Sequence, residues 1–204
     1  LLDIGFKDFT VNINDRRILR GMLAGMGFAA DSLDSVCITF DKLDKIGAEG
    51  VTAELADKGC PAAAVAALSE FLAAGRTDLQ AVSALCGDEA LAADLERVME
   101  AVKTLADGTY AIEYCPSLVR GQGYYTGMVF EVTCPAFAGA VAGGGRYDNM
   151  VGKFLDQAVP AVGFSIGFER ICGILAEQGF TVPADKARLA LLYLPGSDFA
   201  AVLK

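Results

Sequence analysis

The sequence of 204 residues contains no histidine. This absence excludes imidazole acid–base catalysis, a Cys–His pair and a histidine-bound metal within the chain. Any catalysis by these residues must use arginine, carboxylate, tyrosine or backbone amide groups. No apolar run approaches the roughly 20 residues of a membrane span. We also expect no signal peptide here, because the first residues lack a basic region and a small-residue cleavage site.

Closely spaced cysteines are also missing. The nearest pair, Cys115 and Cys134, lies 19 positions apart, which argues against a CxxC metal site or a compact disulfide framework. We expect reduced thiols, most of them in the core, in a cytosolic protein. The cysteines are Cys37, Cys60, Cys86, Cys115, Cys134 and Cys172.

Positive charge is scarce, since the formal net charge is −9. Contact with nucleic-acid phosphates needs clustered lysine and arginine, so a generic nucleic-acid binder is disfavoured. Arg16, Arg17 and Arg20 could still touch a phosphate backbone, although a solvated helix face is the favoured interpretation. Apolar residues, in contrast, make up 53% of the chain. This share is typical of a globular protein that holds one large domain, or one domain and a smaller insert.

Three blocks follow one another along the chain. In the first, alternation of Phe9, Val11 and Ile13 in "DFTVNIND" predicts a half-buried strand. Asn14 or Asp15 can cap a following helix through "RRILRGMLAGMG", with Ile18, Met22 and Leu23 on one face.

The second block, residues 38–107, is predicted to be entirely helical. Gly75 is a plausible left-handed helix end, and Pro61 opens a helix at its first turn. Asp88 and Glu89 begin the longest predicted helix, where the helix dipole favours anions. Its predicted apolar stripe is Leu91, Leu95, Val98, Val102 and Leu105.

The third block, residues 108–182, contains predicted strands at "TYAIEYCPSLV", "GMVFEVTC" and "GAVAG", and a strand that enters a helix at "PAVGFSIGFERI". Arg120 lies in it between a hydrophobic segment and two glycines, where its guanidinium could bind a carboxylate or phosphate or form a structural ion pair. Tyr124 and Tyr125 point to opposite faces if the segment is extended, so that at most one is core and the other lines a cavity.

Two further groups could carry chemistry. Gly143, Gly144 and Gly145 form either a side-chain-free floor or a tight turn. Gly167 would leave one strand face bare, and Glu169 and Arg170 follow at the strand-to-helix transition. Arg170 could meet the distal phosphates of a nucleotide, or it could be a solvated helix residue.

Together, in this order, "LVRGQGYYTGMVFEV", "AVAGGGRYDNMVGKF" and "PAVGFSIGFERI" resemble the signatures of the histidyl-tRNA synthetase family, including motif 3 of class II synthetases. "KDFTVNIND" and "DKLDKIGAEGVTAEL" resemble the strand after motif 2 and the start of the family's insertion domain. The resemblance covers nearly the whole chain. It implies an α/β (α+β) fold, with a six-stranded antiparallel sheet flanked by helices and an all-helical insertion.

The resemblance also implies a function. A family member activates L-histidine with ATP and Mg²⁺ and passes it to tRNA(His), as a cytoplasmic homodimer. Arg120 would contact the α-phosphate and the histidine carboxylate, Tyr124 and Tyr125 would line the histidine pocket, and Arg170, with Glu169 and Gly167, would bind ATP. Gly143, Gly144 and Gly145 would floor the histidine site. No metal ligand is expected from this chain.

The implied domains are a first catalytic part at 1–37, the insertion at 38–107, a second catalytic part at 108–182, and the start of an anticodon-binding-like α/β domain at 183–204. Motifs 1 and 2 are absent, and the first residue is not methionine. We therefore expect an incomplete segment that is inactive alone.

One departure and one alternative remain. The family's "RGLDYY" is "RGQGYY" here, so Gln122 replaces a leucine and Gly123 replaces an acid. This second replacement removes the carboxylate that could orient Arg120 in the family. The alternative is the histidine-binding regulatory subunit of ATP phosphoribosyltransferase, a paralogue that does not charge tRNA.

Overall fold

The computed structural model describes residues 1–75, 77–120, 123–155, 157 and 159–181. The predicted C-terminal unit at 183–204 lies outside these residues. A short 3-10 helix at Leu2–Ile4 precedes the main elements. These are β1 (Thr10–Asp15), α1 (Arg16–Gly25), α2 (Leu33–Phe40), α3 (Leu43–Asp57), α4 (Ala62–Ala73), α5 (Leu79–Cys86), α6 (Glu89–Ala106), β2 (Ala111–Tyr114), β3 (Met128–Cys134), β4 (Phe137–Arg146), α7 (Asp148–Val151), β5 (Val162–Ile166) and α8 (Phe168–Glu177).

Among the described residues, five strands form one sheet in the order β2-β1-β3-β4-β5. The expectation of a purely antiparallel six-stranded sheet is corrected, because β1 and β2 run parallel. The other three pairs are antiparallel. The parallel pair has a simple cause: helices α1 to α6 connect β1 to β2, and only such a long crossover can return the chain to pair in parallel.

Helix α1 begins where the sequence predicts. Asp15 is its N-cap, and the side chain accepts a hydrogen bond from the backbone amide of Arg17 at 2.8 Å. The predicted apolar face of α1 is buried in the core. The interpretation of Arg16 as part of a solvated face is wrong, since this residue is only 9% exposed. Burial of its aliphatic stem beneath the neighbouring helix leaves the guanidinium 3.9 Å from Asp34.

The helical block shares its core with the sheet. Leu55, Leu68 and Leu95 pack in the same buried cluster as Ile13 of β1 and Ile112 of β2. Helix α2 also runs across the predicted boundary between residues 37 and 38. The domain boundaries stay predictions, but the helices bury their apolar faces against α1 and the sheet.

Helix α6 confirms its predicted start and corrects its predicted stripe. The Asp88 carboxylate accepts hydrogen bonds from the backbone amides of Ala90 and Leu91 at 3.1 and 3.2 Å. Leu95 is fully buried, but Leu105 is 80% exposed. A stripe with a strict seven-residue repeat drifts by about 20° per heptad on a straight helix, so its last member leaves the buried face.

All six cysteines lie in the described residues and carry free thiols. Cys37 is buried, four are half-buried, and Cys172 is exposed. The four half-buried cysteines pack against the core clusters, which agrees with the expectation that most cysteines lie in the core. Within the described part of the chain, no helix combines the length and apolarity needed to cross a membrane.

Candidate functional site

Gly143, Gly144 and Gly145 form a surface without side chains, the glycine floor, and Arg120 and Tyr125 lie over it. The triplet is part of strand β4, not a turn, and all three residues are buried. A Cβ atom at Gly143 would overlap the Arg120 guanidinium, with 2.8 Å to its Cζ atom. A Cβ at Gly145 would come within 2.8 Å of the Tyr125 ring. Since positions 143 and 145 share one face of the strand, Arg120 and Tyr125 lie about 7 Å apart along it.

The floor continues into the next strand. Gly163 of β5 pairs with Gly145, and a Cβ there would collide with the Tyr147 hydroxyl. The third residue of the triplet, Gly144, faces the other way, where a Cβ would lie 2.7 Å from the Cα of Phe164. Glycine at these positions lets bulky side chains and the neighbouring strand approach the sheet closely.

Arg120 has an unusual backbone. Its φ angle is +49°, in the left-handed region that non-glycine residues rarely adopt. Its side chain is 24% exposed, and Nη1 lies 3.6 Å from Oε2 of Glu131 on β3. Backbone strain of this kind is typical of functional positions that the surrounding structure holds in place. Gly121 and Gln122, which follow it, lie outside the described residues.

A cavity of about 410 Å³ opens on the sheet between β4, β5 and the start of α8. Arg120 and Arg170 both line it, together with Gly143, Gly167 and Glu169. The Arg170 guanidinium donates a hydrogen bond to the Ala140 carbonyl and lies 5.2 Å from the centre of the Phe137 ring. Two cations on one cavity make it suited to a polyanion. This geometry brings the predicted ATP residues together with Arg120.

The two predicted tyrosines lie side by side and not on opposite faces, because residues 123 to 125 form a turn and no strand. Their ring centres are 4.4 Å apart, and the Tyr124 hydroxyl donates to that of Tyr125 at 3.3 Å. Tyr125 is 9% exposed and Tyr124 is 37% exposed, so Tyr125 belongs to the core and Tyr124 is accessible. The placement of Tyr124 in a cavity stays a prediction. The hydrogen bond to Tyr125 raises the pKa of Tyr124.

Sequence reasoning missed two residues of this group. Tyr147 completes the aromatic cluster, at 5.9 Å from the Tyr124 ring and 6.3 Å from the Tyr125 ring. Glu131 pairs across the strands with Gly143 and so lies on the face of the sheet that carries Arg120. The alternation of "GMVFEV" could have indicated Glu131, because a charged residue inside an apolar strand needs a partner.

A second cavity, of about 430 Å³, shares Arg120 with the first. Carboxylates outnumber cations in its lining, with Asp41, Asp44 and Glu131 against Lys45 and Arg120. Burial raises the pKa of Glu131, and the positive charge of Arg120 opposes this effect without cancelling it. Arg120 thus stands between a cationic and an acidic compartment.

The comparison with known proteins agrees with this geometry. A family model described as histidyl-tRNA synthetase matches residues 1–171. The chain belongs to the histidyl-tRNA synthetase family. A histidine–tRNA ligase of Leifsonia xyli is 45% identical over 182 residues, which cover 84% of this chain and 42% of that protein. A histidine–tRNA ligase of Aeropyrum pernix is 40% identical over 181 residues, 86% of this chain and 41% of the relative.

Solved structures of the histidyl-tRNA synthetase family show the same fold. The synthetase from Nostoc sp. PCC 7120 superposes with a TM-score of 0.71 at 28% identity, over 87% of this chain and 44% of that one. A protein from Bacillus halodurans, described as an ATP phosphoribosyltransferase regulatory subunit/histidyl-tRNA synthetase, has a TM-score of 0.68 at 20% identity. This second likeness concerns the fold alone. The chain spans less than half the length of these relatives.

Proposed function

We propose that the protein acts as a histidine–tRNA ligase, which activates histidine with ATP and transfers it to tRNA(His). The observation that carries the proposal is the cavity over the glycine floor, which Arg120 and Arg170 line together. The activity and substrates are proposed for the whole protein, because this chain covers 42% of the Leifsonia relative.

In the proposed activation step, a histidine carboxylate oxygen attacks the α-phosphorus of ATP. A bond forms between this oxygen and phosphorus, the bond from phosphorus to the bridging oxygen breaks, and pyrophosphate leaves with its electron pair. Arg120 stabilises the negative charge that accumulates on the phosphoryl oxygens. One preorganised donor of this kind contributes roughly 2.7 to 4 kcal/mol in comparable acyl-transfer reactions. Arg170, held by Ala140 and Phe137, binds the distal phosphates.

Histidine recognition falls to the tyrosine cluster beside Arg120. The hydroxyls of Tyr124 and Tyr125 can donate to an imidazole nitrogen, and the ring of Tyr147 closes the aromatic wall. A site that hydrogen-bonds the polar ring of its substrate rejects apolar analogues, because their binding leaves buried polar groups unpaired. Gly143 and Gly145 contribute by leaving room for these side chains.

Mg²⁺ accompanies ATP in the proposed reaction. The described residues contain no group of three or more Cys, Asp or Glu side chains that could hold a metal ion. These side chains do not form a metal site of their own, and we derive no step through the ion. We further propose, from the family resemblance, that the protein works in the cytoplasm as a homodimer.

Histidine-dependent exchange of pyrophosphate into ATP tests the proposal in a protein that spans the full length of the relatives. We expect exchange in the wild type and a loss of about 10² to 10³-fold in Arg120→Ala. Arg97→Ala is the matched control, because Arg97 is 77% exposed on α6, and it should exchange like the wild type. A folded protein that binds histidine without exchange would refute the ligase function and favour the regulatory paralogue.

A further inference from the structure

Arg120 needs a partner that its own segment does not provide. The next three residues in the sequence are Gly121, Gln122 and Gly123, none of which carries a carboxylate. An arginine side chain has several rotatable bonds, and fixing them costs rotamer entropy that a partner must offset. The left-handed backbone of Arg120 sets the direction in which the side chain leaves the chain, but not where the guanidinium ends.

Glu131 is placed to fix the guanidinium from the sheet. It lies on β3 opposite Gly143, the residue that the guanidinium covers. The glycine carries no side chain at that position, so the guanidinium can lie over it beside the Glu131 carboxylate. Their closest atoms, Nη1 and Oε2, are 3.6 Å apart, and the side chains are 24% and 30% exposed. An ion pair with this degree of burial is less screened by salt than a surface pair.

The two cavities separate the roles of these residues. Arg120 lines both, whereas Glu131 is among the described residues around the acidic cavity and not among those around the cationic one. Glu131 therefore contacts Arg120 from the acidic side and does not reach a ligand in the cationic cavity.

We propose that Glu131 is the positioning residue of Arg120, which holds the guanidinium at the wall between the two cavities and directs its free donors into the cationic one. The ion pair is a property of this chain, while its effect on catalysis rests on the proposed function.

The charged surroundings give this ion pair a pH dependence. Four charged residues surround Glu131. Arg120 approaches it from the segment after β2, Asp41 from the end of α2, and Asp44 and Lys45 from the start of α3. Burial raises the pKa of Glu131 most, and Asp41 and Asp44 raise it further, against the opposing effect of Arg120. The ion pair is therefore complete above this raised pKa and is lost as the pH falls through it.

The contribution of Glu131 to folding stability has the opposite pH dependence to that of the ion pair. A carboxyl group whose pKa is raised by folding stabilises the fold fully below its unfolded pKa, and this contribution is lost as the pH rises through the folded pKa. Ionisation of Glu131 thus costs stability while it positions Arg120.

Side-chain NMR of the 204-residue chain tests the positioning without any ligand. The Nε–Hε signal of Arg120 is followed from about pH 3.5 to about pH 8 together with the carboxyl carbon of Glu131. We expect both signals to titrate with one midpoint above the ordinary glutamate value. We also expect the Arg120 order parameter to fall from about 0.8 to below about 0.6 as Glu131 is protonated. An Arg120 signal that is flat across the Glu131 midpoint overturns the proposal.

Substitutions at Glu131 provide a second test of the positioning. Glu131→Gln should abolish the Arg120 titration and weaken ATP binding about tenfold, and Glu131→Asp should restore the titration. Glu113→Gln is the matched control. Glu113 is exposed on β2 and pairs with Asn12 of β1, and Asn12 pairs on its other side with Glu131. If Glu131→Gln and Glu113→Gln change the Arg120 titration and ATP binding equally, the proposal is overturned. If Glu131→Gln does not fold, the wild-type titration decides.

The two proposals fail separately. A full-length protein in which Arg120 follows Glu131 but which shows no histidine-dependent exchange would contradict the proposed function and support the positioning. A full-length protein that exchanges pyrophosphate while its Arg120 signal is indifferent to Glu131 would contradict the positioning alone.

Discussion

Replacing Gly143 with alanine would make the backbone of β4 clash with the Arg120 side chain. The new Cβ atom would overlap Nη1 of Arg120 and lie 2.8 Å from both its Cζ atom and the Phe130 carbonyl oxygen. The carbonyl belongs to the paired backbone of β3 and cannot retreat without breaking the ladder. Arg120 is therefore the group that we expect to move.

The size of the effect follows from these distances. Ordinary van der Waals contact begins at 3.4 Å, and Nη1 lies still closer to the new Cβ atom than Cζ does. The guanidinium must therefore move by more than about 1 Å, and the carbonyl contact leaves additional strain. Overpacking of this kind costs about 1 to 3 kcal/mol, from which about 0.5 to 1 kcal/mol is recovered because alanine lowers the entropy of the unfolded chain. We expect a net loss of up to about 2.5 kcal/mol in the free energy of unfolding, and of about 1 kcal/mol at the midpoints of the two ranges.

Urea unfolding followed by circular dichroism measures this loss, and ATP binding measures the displacement of Arg120. The control is Gly173→Ala in α8, where a Cβ meets nothing within 4 Å and should stabilise the helix by about 0.8 to 1 kcal/mol. If Gly143→Ala is as stable as the wild type and binds ATP equally well, the account of the glycine floor is refuted.

Three further predictions concern stability. Asp88→Ala removes the cap that binds two backbone amides of α6 and should cost about 1 kcal/mol in urea unfolding; an unchanged midpoint would contradict this role. Leu95→Ala should cost about 2 to 5 kcal/mol, whereas Leu105→Ala, at a residue 80% exposed, should change unfolding by less than about 0.5 kcal/mol. Lys42 and Lys58 lower the pKa of Glu54 to about 2, so stability should be complete above about pH 4.5 and decline as the pH falls toward the folded pKa. Glu54→Gln should flatten this part of an acid-unfolding curve, and an unaltered curve would exclude the lysine pairing as its cause.

Local chemistry explains why several elements were predictable. Asp15 and Asp88 are short acidic side chains directly before apolar helical patterns, and each caps a helix. Gly75 ends α4 in the left-handed conformation, with a φ angle of +65°. These features depend on residues within a few positions of one another, so they can be read without knowledge of the tertiary fold.

The predictions from sequence were wrong where contacts between distant segments determine the structure. Arg16 is polar in sequence but becomes buried because α2 and its Asp34 fold over the start of α1. Tyr124 and Tyr125 share one side because the chain turns there, and a period of two applies only to extended backbone. The parallel pairing of β1 and β2 depends on about 95 intervening residues, which no local pattern encodes.

By itself, the sequence determined the family and the caps of α1 and α6, because ordered motifs and short-range hydrogen bonds are local properties. Only the tertiary structure decided that Arg120 lies over Gly143, that Tyr147 joins the two tyrosines, and that Glu131 faces the arginine. The physical reason is that strand register places Glu131 opposite Gly143 on one face of the sheet, and the segment after β2 brings Arg120 onto the same face, although these residues are far apart along the chain.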